Sequence, residues 1–238
     1  MSSFLYSVFL QWKLDIRSKS LFVTCYVVPL IFFIIMSGIF ISVMPQMKST
    51  LIQSMIVMGV SMGAFIGLPP SLIETYGSDI KKVYAANGIP LYLGVVTMFL
   101  SAFIHLMFMC FIILVLSLFI FGASLPDNIP SFFFSIAVYI AVSLSIGSIL
   151  GLVVKNQAKL TMIAQLVFLP SIMLSGIMFP TDLLPYSLQI VGKIFPASWG
   201  YQLMLNKGFH FKNLWYLLIV LFTAVTICCV LIKKQKSK

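Results

Sequence analysis

The sequence predicts an all-α polytopic membrane protein with six transmembrane helices, and three observations predict it. Of 238 residues, 61% are hydrophobic and only 8% charged, which is more apolar surface than one globular core can hide. Six uncharged runs, each long enough to cross the hydrocarbon of a bilayer, lie between the charged residues. The basic residues gather in alternate gaps between these runs, as expected of a chain threaded back and forth through lipid. We expect a single transmembrane domain over residues 1–238, with spans near 21–44, 51–73, 89–121, 131–154, 160–178 and 213–232.

The chain opens with FLYSVFLQWKLDIRSKS at residues 3–19. Phe4, Val8, Trp12 and Ile16 recur at helical spacing, with Lys13, Arg17 and Lys19 elsewhere on the wheel. This predicts an amphipathic helix over 1–19, lying on the cytoplasmic surface before the first span. The apolar run that follows ends in Met44-Pro45-Gln46, without a small-x-small cleavage pattern, and is too long for the core of a signal peptide. It reads as a retained first span.

Gly59, Gly63 and Gly67 place a small residue on every fourth position of the second span, and Ser143, Gly147 and Gly151 repeat the device in the fourth. Such stripes let helix backbones approach closely in lipid. Gly59-Val60-Ser61-Met62-Gly63 also fits the G-x-S-x-G pattern of a nucleophile elbow. An elbow needs a strand-to-helix turn with acid and histidine partners, and a charge-free span offers neither, so packing is the better reading. Pro69-Pro70 should kink or end the second helix near its inner end.

The third run, residues 83–126, has room for two helices. From Val95 to Phe121, however, it contains no Gly, Pro or Asn, and a turn there would leave open backbone in lipid. One long helix after an Asn87-Gly88-Ile89-Pro90 break fits better. His105 lies near its middle, and an intramembrane ionisable group is a functional suspect. With no other ionisable side chain in the middle of a span, a proton relay lacks a second station, and a neutral histidine bonded to a neighbouring helix is the simpler reading. Cys25, Cys110, Cys228 and Cys229 sit in apolar runs without metal-ligand spacing, and read as small buried or lipid-facing residues.

Orientation follows from charge. With both termini in the cytoplasm, eleven of the 15 lysines and arginines lie inside, and Lys48, Lys193, Lys207 and Lys212 lie outside. Topology therefore explains the net charge of +10 without nucleic acid. Arg17 is the one arginine, a composition that hints at a bacterial source. The largest inner loop is ETYGSDIKKVYAANG, residues 74–88, with room for a short helix. The outer segment 179–212 carries Pro180, Pro185 and Pro196 among apolar residues. It predicts short helices that dip into the membrane, with Thr181 or Asp182 as a cap and with Trp199 and Tyr201 at the interface.

What the chain lacks narrows its chemistry. Glu74, Asp79, Asp127 and Asp182 all sit at span ends, whereas ion-coupled carriers usually place carboxylates near the midplane. The phosphate cradle G-x-x-x-x-G-K-[ST] is missing, since Gly192-Lys193 is followed by Ile194. No zinc-ligand set or acid pair for a membrane protease appears. We expect no enzyme activity and no cofactor in this chain, and a drive that arrives from outside it.

Leu174-Ser175-Gly176-Ile177-Met178-Phe179-Pro180, followed by Leu184-Pro185, Leu188 and Phe195-Pro196, resembles the signature of ABC-type-2 transporter permeases, "SG-x-x-F-P … L-P … P". There the fifth span passes into short re-entrant helices on the outer side. The motif residues here are Ser175, Gly176, Phe179, Pro180, Leu184, Pro185 and Pro196. The resemblance implies two such subunits side by side, identical or not, each coupled to a cytoplasmic ATP-binding-cassette subunit that holds the ATP and Mg. It also implies that the N-terminal helix and a coupling loop would contact that ATPase. Glu74, Gly77, Asp79, Lys81, Lys82 and Gly88 would form the loop. Thr75 stands where the family commonly has an arginine after the glutamate.

Met55, Met58, Met62 and Phe65 in the second span, with Phe168, Met173 and Met178 in the fifth, are candidates to line a pathway. Methionine is flexible and polarisable, which suits varied apolar cargo. The expectation is a cell-membrane exporter permease for a lipophilic or amphipathic substrate such as a drug, a peptide antibiotic or a lipid-linked molecule. The alternatives are a carrier or channel that needs no ATPase, with His105 as its polar element, or a polysaccharide or teichoic-acid type of export permease.

Overall fold

The computed structural model describes residues 3–77, 83–84, 86–205 and 211–236. Among them every regular element is helical. Six helices are long and apolar enough to cross a membrane: Val23–Val43, Pro45–Tyr76, Leu91–Phe121, Ile129–Val153, Gln157–Leu174 and Phe211–Lys234. The all-α, six-span fold is therefore the one expected, and the third run is one unbroken helix. Below, these helices are the first to sixth spans.

The second span is the axis of the bundle. Its apolar window is 89% buried, against 22% for the first and fifth spans and 17% for the sixth. Leu51, Ile52, Met55, Ile56, Val57, Val60, Ala64 and Phe65 are almost inaccessible. A helix that is apolar all round must be enclosed by others or by lipid, and here the third and fourth spans enclose it. Hydroxyls bridge the spans where apolar packing alone would leave them orphaned. Ser61 Oγ and Tyr139 OH are 2.6 Å apart, and Ser54 Oγ donates to Tyr201 OH at 3.4 Å.

The small residues behave as contact points. A Cβ on Gly59 would meet the Met109 side chain, one on Gly63 the Leu106 side chain, and one on Gly67 the Cys25 sulfur. The stripe therefore serves two neighbours, the third span at two turns and the first span at the next. On the fourth span the approach is closer. A Cβ on Gly147 would lie 2.1 Å from the carbonyl oxygen of Ala64, and one on Gly151 would lie 2.8 Å from Leu72 Cβ. Ser61 sits inside this packing with its hydroxyl bonded to Val57 O, which accounts for the G-x-S-x-G sequence without any catalytic chemistry.

Pro69 and Pro70 neither end nor break the second helix, which continues to Tyr76. Instead the helix widens to π geometry over Gly63–Gly67. A proline ring collides with the carbonyl four residues back, and a wider turn relieves that collision. The first span repeats the solution, with π geometry over Val23–Val27 just before Pro29. In the second span Leu68 N–H bonds to Gly63 O, and Pro69 has no N–H to offer Ala64. The Ala64 carbonyl is the group that Gly147 approaches.

Helix ends follow turn chemistry. Asn128 caps the fourth span and Asn156 the fifth, each accepting from a backbone N–H three residues on. Gly122 ends the third span at φ +56°, a left-handed stop that glycine adopts freely. The fifth span ends at Leu174, four residues before the expected boundary, because Ser175-Gly176 turns the chain with Gly176 at φ +84°.

Candidate functional site

Beyond the fifth span, the outer segment folds as a 3-10 turn over Thr181–Leu183, a helix over Tyr186–Gly192 and a helix over Pro196–Leu205. The expected cap at Thr181 or Asp182 is not used. The helix starts after Pro185 and no side chain caps it, since a proline at the entrance leaves the backbone preset for a helical turn. Pro180, Pro185 and Pro196 each open one of the three turns. The segment is clamped to the bundle by close backbone contact. A Cβ on Gly192 would lie 2.3 Å from Leu174 O, and Ser198 Oγ donates to Gly192 O at 2.6 Å.

Trp199 sits at the rim as expected, donating Nε1–H to Lys193 O at 2.7 Å and stacking on Tyr216 at 4.2 Å. Tyr201 does not. It is 8% exposed and bonded to Ser54, because it points from the short helix into the core.

The SG-x-x-F-P pattern is thus a chain reversal written in residues. Ser175 Oγ bonds back to Ile172 O at 3.0 Å, Phe179 is partly exposed, and Leu184 follows the 3-10 turn that Pro180 begins. A methyl group on Gly176 would force a side chain into left-handed backbone and meet Thr181 Cγ2 at 2.9 Å. Gly176→Ala should therefore lower stability by about 1–2 kcal/mol. The control Gly38→Ala, inside a helix and with nothing within 4 Å of its Cβ, should not lower the thermal midpoint.

The seven pathway candidates do not share one surface. Met55, Met58 and Phe65 are at most 2% exposed inside the bundle, and Met62 is half-buried beside them. Phe168 and Met178 are half-buried, and Met173 is 51% exposed. The fifth span presents Thr161, Gln165, Leu169 and Met173 on one outward face at four-residue spacing. Gln165 was absent from the sequence candidates because only charges delimited the runs; its signal is an uncharged amide at the centre of a short span.

At the opposite end of the bundle, Glu74 is exposed on the last turn of the second span and Gly77 follows that span's end. Gly88 adopts φ +66° before the third span begins. Tyr76 OH donates to Leu91 O and so ties the end of the second span to the start of the third. Asp79, Lys81 and Lys82 lie outside the described residues.

His105 is enclosed, though not at the centre of the bundle. Its Nδ1 is 2.6 Å from Tyr26 OH, near the beginning of the first span, and its ring stacks on Trp12 of the N-terminal helix Ser3–Arg17. The N-terminal helix does not merely rest on a surface. Val8, Gln11, Trp12 and Asp15 form its inward face, and Ser101 Oγ donates to Asp15 Oδ2. Phe4 and Ile16, two of the four residues expected to form the apolar stripe, are exposed. Positions 8, 11, 12 and 15 share one helix face as 4, 8, 12 and 16 nearly do, and that face carries the acid inward to a hydroxyl that can bond it.

The family model described as ABC-2 type transporter matches residues 3–209. No curated protein matches the chain.

Proposed function

Because the chain belongs to the ABC-2 type transporter family, and is accordingly a multi-pass membrane permease subunit that associates with an ATP-binding-cassette partner, we propose that it exports a lipophilic or amphipathic substrate across a bacterial cell membrane. The substrate moves along the outward face of the fifth span, which a second copy of this chain or a related permease closes.

The observation that carries this reading is Gln165. The fifth span is only 22% buried, and its exposed face holds an amide at mid-span. An amide left in hydrocarbon without a partner is costly, so this face calls for a protein or aqueous neighbour. Leu166, Leu169 and Met173 beside it are exposed and apolar, which suits cargo with greasy and polar parts. By contrast, the exposed Thr223 and Thr226 of the sixth span return their hydroxyls to their own backbone, which lipid tolerates. The methionines of the second span belong to the core that moves with this wall and not to the wall.

The lysine bias supports both termini in the cytoplasm, which puts residues 74–88 on the ATPase side. In this account the partner ATPase pushes on the loop that contains Glu74, Gly77, Asp79, Lys81, Lys82 and Gly88. The tie between Tyr76 and Leu91 passes the displacement to two spans together, and the short helices after Pro180 form the outer lid.

The test is transport of a lipophilic dye by the permease–ATPase complex in inverted vesicles. Gln165→Trp fills the wall and should cut ATP-driven uptake at least ~10-fold, a barrier change of about 1.4 kcal/mol, while assembly with the ATPase is kept. Leu218→Trp, on the exposed face of the sixth span, should transport normally. Unaltered uptake with Gln165→Trp, or uptake in the opposite vesicle orientation, contradicts the reading.

A further inference from the structure

We propose that Asp15, half-buried, and His105, buried, form a proton-binding site. The pair takes up one proton as the pH falls, and its charge state sets how firmly the N-terminal helix docks on the third span.

The site is built from three elements. The N-terminal helix supplies Gln11, Trp12 and Asp15, the first span Cys25 and Tyr26, and the third span Ser101 and His105. Asp15 Oδ2 accepts from Ser101 and Oδ1 accepts from Gln11 Nε2 at 2.8 Å. His105 is 5% exposed, with Nδ1 on Tyr26 OH and its ring 6.1 Å from the Trp12 ring at 23°. A cavity of about 30 Å³ opens between these groups, large enough for a water molecule. His105 Nε2 is buried without a hydrogen bond in this geometry.

The charge of the cluster is unbalanced. With Asp15 ionised and His105 neutral it carries one negative charge among apolar neighbours, and no described lysine or arginine lines the cavity. From the second span only Gly63, Gly67, Leu68 and Ser71 face it, none of them titratable. Cys25 and Tyr26 are neutral in the working range, and Lys13 and Arg17 are exposed. Burial pushes the Asp15 carboxyl above the ordinary carboxylate range, opposed by the hydrogen bonds from Ser101 and Gln11 and by the nearby His105 ring. One added proton brings the cluster to neutrality whichever group holds it. The titration therefore belongs to the pair.

The linkage has a definite sign. Undocking carries Asp15 to water while His105 stays in its span, so the carboxyl sets the sign: a carboxyl whose docked value is raised contributes stability that is complete below its ordinary value near 3.8 and is lost as the pH rises through the docked value. The neutral cluster thus docks the helix firmly, and the ionised cluster loosens it. Facing the cavity, the π-helical turns Val23–Val27 and Gly63–Gly67 lie against each other, so a change in docking acts on the joint between the first and second spans.

The test uses the purified full chain in nanodiscs, with Trp199→Phe and Trp215→Phe so that Trp12 alone reports. As the pH rises above the ordinary carboxylate range the thermal midpoint should fall, and Trp12 emission should change over the same interval. Asp15→Asn keeps the bonds to Ser101 and Gln11 within reach but removes the charge, and should flatten both curves. Ser101→Ala removes a donor from the carboxylate and should move both transitions to higher pH, which keeps the test open if Asp15→Asn folds poorly. Flat curves in the starting protein, an Asp15→Asn protein that titrates like it, or a Ser101→Ala transition that stays in place would each overturn the proposal.

Discussion

Gly147→Leu should prevent the fourth span from docking on the second and leave little folded protein. A Cβ at this position would stand 2.1 Å from the Ala64 carbonyl oxygen and 3.1 Å from its carbon, and backbone cannot turn aside as a side-chain end can. The contact also has no slack from the other side, because Ala64 lies in the π turn that accommodates Pro69. Overpacking that moves backbone costs about 3 kcal/mol or more, a large share of the stability of a domain.

Gly63→Ala is the informative comparison. Its Cβ would come even nominally close, 2.3 Å, to Leu106 Cδ2, but a leucine methyl can rotate away, so we expect about 1 kcal/mol. Reversible unfolding in mixed micelles measures both. Equal losses for the two variants would mean that the second and fourth spans are not in backbone contact.

Much of this architecture was readable from residues alone, for identifiable reasons. Spans are legible because lipid demands unbroken apolar length. The absence of turn residues between Val95 and Phe121 correctly gave one helix where length alone allowed two. The glycine stripes were legible because few other reasons place glycine on every fourth residue of a helix. The SG-x-x-F-P turn was legible because Gly176 and the prolines fix backbone geometry locally.

What escaped depends on which neighbours meet. Pro69-Pro70 looked like a possible helix end because sequence does not reveal that five glycine-bounded residues before them can widen into a π turn and let the helix continue. Asp15 carries no local signal, because a charged residue near Lys13 and Arg17 is normally solvated, and only the fold brings it to Ser101. Tyr201 looked interfacial because its partner, Ser54, is 147 positions away. The methionines of the second span looked like pathway because their chemistry suits it, but burial places Met55 and Met58 against other helices of the same chain. For Asp15, Tyr201 and the two methionines, long-range contact decided the place.

The second large effect is all-or-none. The described chain offers a greasy fifth-span wall with Gln165 in it and an end, near Glu74 and the Tyr76–Leu91 tie, where force can enter. Its sequence holds no phosphate cradle for a fuel. Under the proposed export function the drive comes from the associated ATPase, and transport should stop completely when that subunit is absent or cannot bind nucleotide. The direct measurement is substrate accumulation in proteoliposomes that contain either this permease alone or the permease with its ATP-binding-cassette partner, each with ATP and Mg supplied. The account predicts accumulation against a gradient only in the second preparation, and loss of that accumulation when ATP is withheld. Concentrative transport by the first preparation would contradict it.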